Sequence, residues 1–134
     1  MNGVTAGMSL CWDDGPSENE APLTDVGEVR RRLTALDGEH RTIVTIAADG
    51  EAHLGCGGDN RLGLVLYVTA DNQVFHTLIN ETAASGADDV VMVAGGQPGR
   101  YPARQVVPLE VAVAAAEYYA THRDISPELA WDTT

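Results

Sequence analysis

A chain of 134 residues, 44% hydrophobic and 21% charged, fits one domain able to bury about two-thirds of its unfolded surface without disulfides or a metal. Its net charge of −12 comes from twenty carboxylates against eight arginines, with no lysine. It opposes contact with nucleic-acid phosphates or anionic membranes and favours a basic partner. No apolar run approaches the roughly 20 residues of a spanning helix, and the start of the chain carries no secretory pattern, so a cytoplasmic protein is expected.

Residues 8–12 predict a short first strand ending at the turn-like Asp13-Asp14-Gly15-Pro16. Residues 18–22 read as an acidic loop. Asp25 and Glu28 have the spacing of a capping box, and Val26, Val29, Leu33 and Leu36 follow as one apolar stripe, predicting a helix over 26–36 with Gly38 as its stop. Arg30, Arg31 and Arg32 then fall on a solvated helix face.

The middle of the chain predicts strands at 41–48, 51–56, 62–70, 73–79 and 89–94. Asp49-Gly50 is a hairpin signal, Gly57-Gly58-Asp59-Asn60 and Gly95-Gly96-Gln97-Pro98-Gly99 read as loops, and Asp71-Asn72 as a turn. Short connections of this kind favour an antiparallel meander. Pro108 opens a second helix, in which Leu109, Ala112, Val113, Ala116, Tyr119 and Ala120 recur at helical spacing and His122 and Arg123 sit at the C-terminal end. Trp131 falls in a terminal segment read as an edge strand, and Trp12 and Trp131 are expected in the core. The fold class is α+β: one domain over 1–134, with a central antiparallel sheet of about five to seven strands covered by two helices.

Sites for chemistry are sparse. His53 and Cys56 are three apart, which on a strand puts them on opposite faces, so no metal site is expected. Cys11 and Cys56 read as reduced core thiols, and no nucleophile motif surrounds Cys56. The deaminase signature is absent, and the glycines at 55, 57 and 58 lack the lysine of a phosphate-binding loop. No cofactor is implied. The enzyme or ligand-binding alternative is a pocket near His53, Cys56 and His76.

The closing pattern consists of Val107-Pro108, the alanine-rich helix through Ala112, Ala116 and Tyr119, then Pro127 and Trp131. It resembles the C-terminus of immunity protein family one, bacterial proteins that bind and silence polymorphic toxins, often nucleic-acid deaminases. The strands with Thr42 to Ile46, Asp49-Gly50 and Leu54-Gly55 resemble the family's early sheet. A glycine helix stop is expected near Thr121-His122-Arg123, where none stands. The resemblance implies a non-enzymatic inhibitor whose partner is a cognate toxin with a basic, nucleic-acid-acting cleft, with no direct contact to nucleic acid or membrane.

Exposed loop carboxylates are the expected contacts: Asp13, Asp14, Glu18 and Glu20 in the arginine-free first 29 residues, then Asp59, Asp88 and Asp89. Arg100 and Tyr101 are the expected anchors, because binding energy concentrates in a few aromatic or arginine side chains.

Overall fold

The computed structural model describes residues 7–134. Its main sheet has seven antiparallel strands, β1 (Ser9–Asp14), β2 (Ser17–Pro22), β3 (Ile43–Ala47), β4 (His53–Asp59), β5 (Gly63–Thr69), β6 (Phe75–Leu78) and β9 (Trp131–Thr133). They lie in the order β2-β1-β3-β4-β5-β6-β9, while β7 (Val90–Ala94) and β8 (Gln97–Tyr101) form a separate hairpin. Helices α1 (Gly27–Thr34) and α2 (Leu109–His122) pack on each other, with α2 over β4 and β5. The α+β expectation therefore holds, but the meander in the main sheet is β3 to β6, and the strand predicted at 89–94 leaves it for the hairpin.

Alternation along β3 sets the two faces: Val44 and Ile46 are buried, while Ile43, Thr45 and Ala47 are half-buried. Register carries the buried set across the sheet as Leu10, Leu54, Cys56, Leu66 and Val68, which join Val29, Leu33, Ala112, Val113, Ala116 and Tyr119 of the helices in one core. Small residues at 112, 115, 116 and 120 bring α2 close to the sheet.

Three predicted loops are strands, each for a reason of pairing. Residues 18–22 belong to β2, because Gly15 at φ +61° followed by Pro16 makes a two-residue hairpin turn that fixes Asp14 opposite Ser17. β4 runs on through Gly57, Gly58 and Asp59, because full pairing with β5 compensates for poor local propensity. In the 95–99 stretch only Gly95 and Gly96, both at positive φ, form the turn, and Gln97 onward pairs as β8.

The helix ends also depart from expectation. The capping box at Asp25 and Glu28 does not form: Asp25 Oδ1 accepts from Gly27 N–H, and Glu28 accepts from the Thr24 hydroxyl. Gly38 lies beyond the α1 cap at Ala35. Arg123 itself takes the left-handed conformation at φ 58° that ends α2, donating its N–H to Tyr119 O, so the missing glycine stop is replaced by an arginine. The arginine triplet is only partly solvated: Arg30 makes a two-pronged pair with Glu110 of α2, and Arg32 stacks 3.5 Å over the half-buried Trp12. Trp131 is likewise half-buried rather than in the core, its indole N–H donating to Ser126 O.

Asp37 organises the connection after α1. Its Oδ1 accepts from the N–H groups of Glu39, His40 and Arg41 at 2.9, 2.9 and 3.0 Å. The bonds from Arg41 and Glu39 hold its carboxyl down at about 2. A carboxyl lowered on folding stabilises the fold above its unfolded value and loses that contribution as the proton goes on. Unfolding free energy should therefore fall as pH drops through about 4 toward 2, and Asp37→Asn should flatten that fall in urea titrations at each pH.

Candidate functional site

The helices cover one face of the main sheet, and the other face is only partly roofed. The β7–β8 hairpin lies across it beside β4 and leaves Cys11, Ile43, Thr45, Val65, Tyr67, Phe75 and Thr77 half-buried. Two glycines shape this surface. A Cβ at Gly57 would stand 2.7 Å from Ala94 Cβ and 2.9 Å from Thr42 O, so the hairpin reaches the sheet only over a bare backbone. A Cβ at Gly55 would stand 2.5 Å from the ring of Tyr67, which lies across that glycine.

The result is a groove of about 310 Å³ lined by Ile43, Gly55, Gly57, Tyr67, Thr77 and Tyr101, among others. Its aromatic wall is held in place. His53 Nδ1 lies 2.8 Å from Glu51 O, a pure acceptor, so in the neutral ring Nδ1 carries the proton and Nε2 accepts the Tyr67 hydroxyl at 3.0 Å. Burial pushes the Tyr67 hydroxyl up from its ordinary value, which keeps it protonated and donating. Tyr67 also meets His53 and Phe75 edge-on.

The predicted contact residues divide into groups. Glu18 and Glu20 are exposed on β2, the edge strand, and share the open face with Cys11, which lies opposite Glu20. Burial, then the charges of Glu20 and Glu18, push the Cys11 thiol up. Asp14 is exposed at the end of β1 with Arg41 3.6 Å away. Asp88 and Asp89 are exposed in the loop before β7, and Asp89 lines a cleft of about 620 Å³ with Arg104 and Asp132 at the opposite, β9 edge of the sheet. Tyr101 reaches the groove, whereas Arg100 is exposed on the hairpin's other side, since neighbours along a strand point oppositely.

Of the carboxylates expected in exposed loops only Asp88 and Asp89 lie in one; the other five are on strands, and two of those are not exposed. Asp59 is buried at the end of β4 and paired with Arg61 at 3.1 Å, and the hydrogen bond from Arg61 holds its carboxyl below the usual range. Asp13 is half-buried and accepts from Thr42 N–H, Ile43 N–H and the Thr42 hydroxyl. Tyr67 is absent from the predicted contacts; its place two residues along from Val65 on β5 is the signal that points to it.

The three groups of the alternative pocket do not converge. Cys56 is in the core, where burial pushes its thiol far up, while His53 points to the open face. His76 lies opposite Val68 on the helix-side register, bonded to Thr133. Among the described residues no three His, Cys, Asp or Glu side chains are grouped to hold a metal ion, and no helix is long and apolar enough to cross a membrane.

Neither a curated protein nor a solved structure matches the chain. A family sequence model described as Immunity protein Imm1 matches residues 17–133, from the first residue of β2 through the last of β9, including both sheet edges and the groove between them. The chain therefore belongs to the Imm1 immunity protein family, whose function is immunity against a cognate toxin.

Proposed function

We propose that this protein neutralises a nucleic-acid-acting toxin, a deaminase by preference, by laying the open face of its sheet and the acidic edge beside it over the toxin's basic active-site cleft. The reading requires no chemistry from the inhibitor and sets its work in the cytoplasm of the cell that makes the toxin. The observation that carries the choice of surface is the one-sided sheet: helices bury one face, and the other keeps Ile43, Val65, Tyr67 and Phe75 half-exposed. Aromatic and aliphatic area of this kind supplies the binding energy that surface charge alone does not.

On this reading Glu18, Glu20 and Asp14 meet the toxin at one edge, Asp88 and Asp89 at the other, and Tyr67 and Tyr101 form the central anchor. Arg100 contacts a partner only if it wraps the hairpin. Asp13 and Asp59 add negative potential while their carboxylates stay engaged within the fold.

Co-expression with the toxin domain encoded beside this chain tests the reading through cell survival and co-purification. Rescue with a stoichiometric complex is expected, and Tyr67→Ala with Tyr101→Ala should weaken that complex by about 30-fold or more, as loss of central aromatic anchors does. No rescue and no complex would refute the neutralisation itself. Full affinity in the double variant would move the interface off the groove.

A further inference from the structure

β2 ends the main sheet and, among the described residues, pairs only with β1. The Leu23 N–H donates to Met8 O at 2.9 Å, so Leu23 lies on the hydrogen-bonding side toward β1. Inward-facing and outward-facing residues alternate in an antiparallel pair, so Ser17, Asn19 and Ala21 also turn their backbone groups to β1. Glu18 and Glu20 therefore direct both N–H and C=O outward to the free edge, and their exposed side chains share one face.

Edge strands are usually blunted by a bulge, a proline or charged side chains. This one has an unbroken register from Ser9 opposite Pro22 to Asp14 opposite Ser17, with no proline inside Ser17 to Ala21. Among the described residues that stretch is blunted by negative charge, and Pro22, the next outward position at the strand's end, has no N–H to offer. Two copies meeting along β2 would set glutamates beside glutamates, which like-charge repulsion opposes. A strand with arginine or lysine at alternate positions would instead find two backbone pairing positions and two opposite charges at the same spacing.

We infer that β2 is a docking edge that takes up an extended basic segment of the toxin as an added strand, bonded through the outward backbone groups of Glu18 and Glu20. The inference rests on the neutralisation reading above and deepens it. Glu20→Pro removes one outward N–H and leaves the bonds to β1 in place, and Glu20→Gln removes only the charge.

Against the toxin domain encoded beside this chain, Glu20→Pro should bind about five- to tenfold more weakly than Glu20→Gln while both unfold at similar temperatures. In the wild-type complex the amides of Glu18 and Glu20 should exchange hydrogen at least about tenfold more slowly than in the free protein. If Glu20→Pro fails to fold, the amide exchange decides alone. A wild-type chain that co-purifies with the toxin while both amides exchange as in the free protein overturns strand addition and leaves the neutralisation reading standing. A wild-type chain that does not bind the toxin overturns both.

Discussion

Asp13→Ala is expected to lower the free energy of unfolding by about 2–4 kcal/mol, although sequence alone does not distinguish Asp13 from its exposed neighbours. Its carboxylate accepts from Thr42 N–H at 2.7 Å and Ile43 N–H at 3.0 Å, and also takes the proton of the Thr42 hydroxyl. With that proton committed, the Thr42 oxygen is free to accept from Gly96 N–H at 2.8 Å, while Thr42 O lies within bonding range of Gly95 and Gly58 N–H groups. One carboxylate on β1 thus orients the residue that ties the tip of the β7–β8 hairpin to the sheet. Thr42 is 1% exposed, so water cannot replace the lost acceptor without opening the contact. Asp13→Asn keeps one oxygen for the two backbone donors but turns an amide toward the Thr42 hydroxyl, and should fall between wild type and alanine. Urea unfolding measures all three. Glu18→Ala and Glu20→Ala, at exposed edge positions, should stay within about 0.5 kcal/mol of wild type, and a comparable loss there would contradict this division.

Asp13 and the edge glutamates differ through tertiary contacts, not through local sequence. The apolar stripe of Val29 and Leu33, the alanine-rich repeat of α2 and the β-branched run at 43–47 were legible because each carries its own period. β2 was not, because Ser-Glu-Asn-Glu-Ala-Pro has no strand preference and is extended only through the turn at Gly15-Pro16 and its pairing with β1. The Gln97–Tyr101 strand was hidden in the same way behind a glycine and a proline. Charge alone cannot separate a carboxylate that satisfies Thr42 from one facing solvent, because the donors lie 29 and 30 residues away. The one-sided sheet was implicit in the alternation of β3, yet only register shows that Tyr67 lies over Gly55.

Reversing both edge charges, Glu18→Lys with Glu20→Lys, should slow association with the toxin by about 10- to 100-fold at low ionic strength and leave folding stability nearly unchanged. Neither glutamate has an ion-pair partner among the described residues, and both are exposed, so their potential reaches outward. The reversal shifts the net charge only from −12 to −8, because each change moves the charge by two units and both lie on one strand. An effect that large must therefore come from their position facing the partner rather than from bulk charge. Raising salt toward 1 M shortens the screening length from about 10 Å at 0.1 M to about 3 Å, and the gap between wild type and variant should close. Stopped-flow association at several salt concentrations separates the possibilities. Unchanged rates at low salt would remove β2 from the encounter surface and place the partner over the groove and the Asp88-Asp89 edge instead. A gap in association rate that persists at high salt would contradict long-range steering by the two carboxylates.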